Sequence, residues 1–396
     1  MEPALGIIAA LRDFDGFGRR TQAYEAEGIP YFVNEFWTAR QRQGHALQEI
    51  SYRACFKPQL PAFFIDRLTA PGDTVHDPFA GRGTTPLQAA LMGRHGSGCD
   101  INPLAAMLVR PRLRPPGPAD LEAALATVDW SAGRIGRPEL DAFYHRDTLR
   151  ALEALRVWLA ARAPFEEPAP DRAADWLRMV ALNRLSGHSS GFFSGRSMPP
   201  NQAVSLAAQR RINARLGTAP PPRDIPAILL RKSRSLMRHG TDVPGGGHVF
   251  TAPAEATPQL PDGSVDLVVT SPPFLDVVHY RADNWLRCWF AGIDPDSVAI
   301  AQHRDLAGWT IMIRAVLSEQ ARLLRPGGHV AFEVGEVRGG RVALERAVWE
   351  AAAGLPFARL GVMINDQAFT KTANCWGVVN GTHGTNTNRI VLLRRR

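Results

Sequence analysis

Two short segments hold residue types whose spacing could do chemistry. The first is Asp77-Pro78-Phe79-Ala80-Gly81-Arg82-Gly83-Thr84-Thr85. Its two glycines let the backbone approach a bound molecule, and a helix starting just beyond them offers free N–H groups to an anion. The spacing is not Gly-x-Gly-x-x-Gly, and the helix opens on Thr-Thr-Pro, with Pro86 near the first turn, where a missing N–H costs little. Hydroxyls at that place suit a carboxylate better than a pyrophosphate. Asp100 follows Gly83 by 17 residues, about where an acid can accept both hydroxyls of a ribose. A lone glycine turn is often only a turn. With the acid and the strand context added, the set fits an adenosine cofactor that ends in an amino acid, S-adenosyl-L-methionine.

The second segment is Thr270-Ser271-Pro272-Pro273-Phe274. Two prolines after an apolar strand force an extended, rigid backbone. Pro273 has no N–H, so the Pro272 carbonyl is expected to face outward. Ser271 Oγ and that carbonyl would accept the two hydrogens of an exocyclic base amine, and Phe274 would stack on the base. The plainer reading is a strand-ending turn with a core Phe.

The elements around these segments are legible. Thr74 to His76 reads as a short buried strand, Ala80 to Thr84 as a tight turn, Pro86 to Met92 as a helix, and Gly96 to Cys99 as a strand ending at Asp100: a βαβ unit. Ser264 to Thr270 reads as an apolar strand. A helix from Trp309 to Leu324 stops at Arg325-Pro326-Gly327-Gly328, followed by a strand from His329 to Val334. A helix from Val342 to Ala353 and strands at Arg359 to Ile364 and Arg389 to Leu393 complete the pattern. Such alternation argues an α/β fold with a doubly wound, mostly parallel sheet, whose ligands lie beyond the carboxyl ends of the strands. Both turns fall on that edge. Pro/Gly clusters mark two seams, giving residues 1–110, 111–245 and 246–396 as successive regions.

The chain has 396 residues, 45% of them hydrophobic and 21% charged, which excludes a disordered or collagen-like protein. No apolar run approaches the roughly 18 residues of a membrane span, and the N-terminal stretch carries acids where a signal peptide carries bases. The expectation is a cytoplasmic protein. Cys55, Cys99, Cys288 and Cys375 form no Cys-x-x-Cys pair, so neither a disulfide frame nor a metal site is expected. The net charge is +8 and is unevenly spread. From Arg178 to Arg238 eleven basic residues face one acid, Asp224, leaving the remainder of the chain slightly acidic. Clustered cations release counterions from phosphates, so Arg196, Arg210, Arg211, Arg231, Lys232 and Arg234 are candidate DNA contacts. A solvated basic face is the alternative.

With these residues in hand, the sequence resembles the amino-methyltransferases of DNA, which methylate cytosine N4 or adenine N6. DPFAGRGTT and TSPPF carry the resemblance. NEFWTARQRQGHALQEISYRACFKPQLP, SGHSSGFFSGRSMPPNQAVS and KTANCWGVVNGTHGTNTNRIVLLR extend it to one subgroup. It runs from about Tyr31 to Arg394. The resemblance implies a Rossmann-like methyltransferase fold with a seven-stranded sheet. It places cofactor contacts at Asp77, Pro78, Phe79, Gly81 and Gly83, with Thr84 and Thr85 near the methionine carboxylate. The ribose acid falls on Asp100, flanked by Ile101 and Asn102. Phe56, Lys57 and Pro58 would close over the methionine. The catalytic motif falls on Ser271, Pro272, Pro273 and Phe274. The cofactor motif precedes the catalytic one, and the basic insert between them takes the place of a target-recognition region. One departure stands out: HVFTAPAEA puts Ala252, Pro253 and Ala254 where the family's third strand ends in an acid, with Glu255 a poor substitute.

The implied activity is methyl transfer from S-adenosyl-L-methionine to cytosine N4 in double-stranded DNA, with the base flipped out, in restriction–modification or epigenetic marking. A separate cognate restriction endonuclease would be a natural partner; no membrane and no metal are implied. Ser-Pro-Pro favours cytosine N4 over adenine N6, which stays open, as do an RNA base methyltransferase and a non-catalytic DNA-binding protein. No Pro-Cys dipeptide occurs, which argues against cytosine C5 chemistry. Trp285, Trp289 and Phe290 recur at helical spacing and read as core, as does Cys375. His279-Tyr280-Arg281 either lines the base pocket or caps the next helix. Thr382 to Asn388 either touches phosphates or is a plain loop.

Overall fold

The computed structural model describes residues 3–38, 44–52, 55–164, 171–197, 203–275, 280–300, 303, 305–335, 342–366 and 387–396. Helix α1 (Pro3–Arg12) and strands β1 (Gln22–Ala26) and β2 (Ile29–Asn34) come first, then α2 (Gln59–Leu68). The βαβ unit follows as β3 (Thr74–Asp77), α3 (Thr84–Leu91) and β4 (His95–Asp100), leading into α4 (Pro103–Leu113). Among the described residues, five helices succeed one another without a strand: α5 (Pro118–Ala126), α6 (Arg146–Arg162), α7 (Arg172–Leu182), α8 (Leu206–Leu216) and α9 (Ile225–Leu236). Alternation resumes with β5 (Gly247–Thr251), β6 (Val265–Thr270), α10 (Tyr280–Ala291), α11 (Leu306–Leu323), β7 (Leu324–Val334), α12 (Leu344–Ala351), β8 (Phe357–Asp366) and β9 (Thr387–Arg395).

The strands form one sheet in the order β1-β2-β8-β9-β7-β6-β3-β4-β5. From β5 to β8 this is the expected doubly wound sheet of seven strands, in which β9 alone runs antiparallel to its neighbours. The hairpin β1–β2 adds two strands that the sequence reading did not assign. Strand β2 pairs in parallel with β8, Tyr31 opposite Val362, so its partner is remote in sequence. The Arg325-Pro326-Gly327-Gly328 stop lies within β7: β6 pairs Val265 with Leu324 and then Leu267 with His329, so these residues bulge out of register.

The apolar order of β6, Val-Asp-Leu-Val-Val-Thr, is that of a strand covered on both faces, and all but Asp266 are buried. Two hydrophobic clusters flank the sheet. One joins α2 to Val75, Leu267, Val269, Ala331 and Met363; the other joins α11 and α12 to Val268, Val330 and Phe332. A third belongs to the helices: Trp176, Phe143, Leu152 and Leu229 pack with Leu104 and Leu108 of α4 and with Leu286 and Phe290 of α10. Trp289 and Phe290 are buried there and Trp285 partly so, as their spacing predicts. Helix α4 runs through the seam at residues 110–111 with Pro111 inside it, and the helices of 111–245 thus share their core with α4 and α10. Among the described residues no helix is long and apolar enough to cross a membrane.

Candidate active site

The two chemistry-bearing turns leave the carboxyl ends of neighbouring parallel strands, since β3 pairs with β6, Val75 opposite Leu267. Thr270 Oγ1 donates to Asp77 Oδ1 at 2.6 Å, so the last residue of one strand is bonded to the last of the other.

The glycine turn is held from within. Gly81 and Gly83 have φ of +49° and +75°, the left-handed region that glycine tolerates. A Cβ on Gly83 would lie 2.3 Å from Val109, so this position is closed to side chains by the packing of α4. A Cβ on Gly81 would sit in ordinary contact with Tyr52 at 3.7 Å and the Phe79 carbonyl at 3.8 Å, so Tyr52 borders this position without closing it. Asp100, at the end of β4, accepts the Gly81 N–H at 2.8 Å and the Asn102 N–H at 2.9 Å, one on each oxygen. Each oxygen retains acceptor capacity, so the carboxylate both shapes the turn and can receive ribose hydroxyls. Asn102 caps α4 by accepting the Leu104 N–H, and Ile101 beside it is half-buried. Pro78 is buried, with its carbonyl accepting from the Cys99 thiol, and Phe79 is half-buried against the α11 side of the sheet.

Both acids of this turn are strained electrically. Burial pushes the Asp77 carboxyl up to about 7, opposed by hydrogen bonds from Thr270 and the Phe79 N–H. Burial likewise lifts Asp100 to about 6 against the N–H groups of Asn102 and Gly81. A cationic ligand would relieve that cost by favouring the ionised forms. This fits a sulfonium-bearing cofactor with ribose hydroxyls.

Two expectations shift in detail. Thr84 Oγ1 accepts from Arg82 Nε at 3.1 Å, and Thr85 Oγ1 donates to the Val269 carbonyl at 3.0 Å. Both threonines are buried, so their hydroxyls fasten the turn to Arg82 and to β6. An anion there would rely on the first N–H groups of α3. Of the preceding segment, Phe56 is half-buried with its carbonyl bonded to Arg82, Lys57 is exposed, and Pro58 sits at the head of α2.

The proline turn is held from outside. Pro272 is buried, Pro273 is exposed, and the Pro273 carbonyl accepts the Trp309 indole N–H at 2.9 Å. Phe274 is half-buried with an edge toward Gly335, where an added Cβ would come within 2.7 Å of its ring. The Ser271 hydroxyl bonds to the Glu333 carboxylate, which also accepts from Asn388 Nδ2 at 3.0 Å. Burial raises the Glu333 carboxyl above its ordinary value, and those two hydrogen bonds oppose the rise. Sequence reading missed Glu333. Its signal was a lone acid in the apolar run HVAFEV, where a charge needs a reason. Asn388, expected at phosphates or in a plain loop, supports Glu333 instead.

The basic window splits in two. Arg178 is buried against Asp175 at 3.6 Å, Arg184 lies over the Phe192 ring, and Arg238 is paired with Glu49, so these three serve the fold. Arg196, Arg210 and Arg211 are exposed about α8, with Arg210 3.7 Å from Asp141. Arg231 and Arg234 are exposed on α9, while Lys232 is half-buried and donates to the Glu49 carbonyl at 3.0 Å. Arg281 pairs with Asp296, and the exposed Glu255 lies beyond β5. His279, Cys375 and residues 382–386 lie outside the described residues.

Residues 20–109 match a family model, N6_N4_Mtase, described as DNA methylase. The Type II methyltransferase M.MjaII of Methanocaldococcus jannaschii is 35% identical over 75 residues, 19% of this chain and 14% of that protein. The matched stretch therefore spans far less than two thirds of that relative. Among solved structures, TrmN from Thermus thermophilus is 14% identical, over 87% of this chain and 50% of that chain, with a TM-score of 0.34. The putative DNA modification methylase TTHA0409, also from Thermus thermophilus and solved with S-adenosyl-L-methionine, is 23% identical over 34% of this chain and 49% of that chain, with a TM-score of 0.22. The segment that carries β3, the glycine turn and Asp100 is thus similar to DNA methylases.

Proposed function

We propose that this chain is an S-adenosyl-L-methionine-dependent DNA methyltransferase acting on the exocyclic amine of a flipped base, with cytosine N4 as its target. The observation that carries the reading is the Thr270–Asp77 hydrogen bond, which binds the cofactor turn and the proline turn into one edge. Bound at the glycine turn, the cofactor supplies an electrophilic methyl on a positively charged sulfur. Asp100 would take the ribose hydroxyls and Gly81 would let the ligand approach. Asp77 would set the local charge.

Ser271 would work as an acceptor. Glu333 engages its hydroxyl hydrogen, which leaves the Oγ lone pairs for one hydrogen of the base amine. The Pro272 carbonyl would take the other, and Phe274 would stack on the ring. An amine held at both hydrogens is oriented for transfer, and orientation supplies much of the rate. A paired base cannot reach this edge, so the base must leave the duplex. The exposed arginines about α8 and α9 would hold the phosphates.

Long-read sequencing of plasmid DNA exposed to the protein and cofactor, with digestion to nucleosides, tests the reading. N4-methylcytosine in a fixed context is expected. N6-methyladenine would reassign the base, and methyl transfer to RNA alone would reassign the substrate. Cofactor binding with no transfer to any nucleic acid would overturn the reading.

A further inference from the structure

Beneath the glycine turn lie two guanidinium groups, and neither makes an ion pair with an acid among the described residues. Arg112, on α4, is fully buried. Its Nε donates to the Leu108 carbonyl, Nη1 to Leu47 at 3.0 Å, and Nη2 to the carbonyl of Arg82. Arg82, inside the turn, is half-buried. Its Nε reaches Thr84 Oγ1, Nη1 the Ile50 carbonyl at 3.0 Å, and Nη2 the Phe56 carbonyl at 3.3 Å. Burying a cation without a counter-charge is costly, and burial together with Arg82 holds the Arg112 guanidinium down to about 9.

Three of the carbonyls they grasp, those of Leu47, Ile50 and Phe56, belong to one strap, the residues just before α2. The strap touches the cofactor turn at two further points. Gln48 Nε2 donates to the Thr84 carbonyl at 3.2 Å, and Tyr52 lies 3.7 Å from where a Cβ on Gly81 would stand. The Phe56 ring packs on the α2 cluster. Its other edge is tied to the helical insert. The Ser51 N–H donates to Asn183 Oδ1 at 2.7 Å, and Glu49 pairs with Arg238. The strap is therefore anchored to the insert without Arg82, while Arg82, together with Gln48 and Arg112, seats it against the glycine turn.

We infer that Arg82, seated on Arg112, is a positioning residue for the cofactor end of the site: by gripping the Ile50 and Phe56 carbonyls it holds Tyr52 and the strap beside Gly81 and so sets cofactor affinity. This rests on the proposed function. A lysine cannot take its place, because one ammonium cannot span two carbonyls while also holding Thr84.

The test uses the full chain as wild type, Arg82→Met and Arg82→Lys, with S-adenosylhomocysteine binding followed by calorimetry. Binding should weaken by roughly tenfold or more in Arg82→Met, since two charge-assisted hydrogen bonds to the strap are lost, with only partial recovery in Arg82→Lys. The KM for cofactor should rise while kcat at saturating cofactor stays near wild type. In the absence of cofactor, hydrogen exchange at the Glu49 and Ile50 amides should quicken in Arg82→Met, while the Ser51 amide, held by Asn183, should not, which reads the strap directly. Wild-type affinity in Arg82→Met, or unchanged exchange at the Glu49 and Ile50 amides, overturns the inference. If the wild type binds no S-adenosylhomocysteine although exchange responds to Arg82→Met, the proposed function falls and the cofactor role falls with it. Arg112→Met serves as a second variant and should weaken binding in the same direction if it folds.

Discussion

The turn after β3 is built from two glycines with positive φ and two buried acids, Asp77 and Asp100. The turn after β6 is built from two prolines and is buttressed by groups from elsewhere: Glu333 of β7 and Trp309 of α11. The first is shaped by its own backbone N–H groups, and the second has almost none to offer. One is suited to receive a positively charged molecule with hydroxyls, the other to receive a flat ring bearing an amine. The difference teaches that affinity and orientation are separable here. Damage to the first turn should appear as lost cofactor binding, and damage to the second as lost capture or turnover of the base.

The largest effect is expected at the first turn. Asp100→Ala removes the acceptor of the Gly81 N–H and, on the proposed function, that of the ribose, and should weaken cofactor binding by about 1.5–3 kcal/mol. Calorimetric titration at unchanged affinity would remove the ribose role. At the second turn, Phe274→Ala should cost about 1–3 kcal/mol in capture of the flipped base, reported by a fluorescent base analogue at the target position. Phe274→Tyr and Phe274→Trp should be far milder, and a Phe274→Ala protein that flips and methylates like wild type would make the turn merely structural.

Ser271→Ala should separate orientation from capture. It removes one neutral hydrogen bond, worth about 0.5–1.5 kcal/mol, or roughly three- to tenfold in turnover. DNA affinity should hardly move; a matching loss of DNA affinity would merge the two roles that the comparison keeps apart.

Acidity distinguishes the turns further. Asp77 and Asp100 are raised to about 7 and about 6, so the free fold binds their protons more tightly than the unfolded chain does. Their contribution to stability is present in acid and is lost as pH rises from about 4 through about 7. Cofactor affinity runs the other way: a sulfonium cation favours ionised acids, so binding of S-adenosyl-L-methionine should strengthen over that range, and more steeply than binding of uncharged-sulfur S-adenosylhomocysteine. Parallel titrations of the two ligands against pH check this, and identical slopes would mean that neither acid senses the sulfur. The smallest effect lies outside both turns. Arg210→Ala with Arg211→Ala should lower the salt slope of duplex binding by about 0.9 per lost phosphate contact, with cofactor affinity unchanged; an unaltered slope would leave these arginines facing solvent.

How far the sequence disclosed this site follows from where each partner lies. Asp77, Gly81, Gly83 and Asp100 fall within one βαβ unit, so strand, turn and acid could be read as a continuous pattern. Ser271 and its prolines were legible for the same reason. Glu333 was not, because a carboxyl reveals its partner only when β6 and β7 are laid side by side, Thr270 opposite Phe332. Asn388 joins it from a strand that inserts antiparallel, which no periodicity announces. The basic window was readable as charge but not as surface: Arg178 and Arg184 turned inward because long side chains can bury their stems and satisfy their heads on neighbours. Likewise β1 and β2 escaped notice, since β2's parallel partner β8 comes more than three hundred residues later.

Strand β9 has a bearing on how such a chain comes to exist at all. It alone connects the block β1-β2-β8 to the block β7-β6-β3-β4-β5. On a ribosome, β7 and β8 are made consecutively, yet in the native sheet they are not neighbours, because residues 387–395 lie between them. Until that stretch is in place, the edges of β7 and β8 that it covers are open to mispairing. The proline turn matures late for the same reason, since Glu333 lacks Asn388 until β9 zips in. Closure by such a distant segment is slow by topology, which gives the growing chain a long interval in which edge protection by a chaperone would raise its yield.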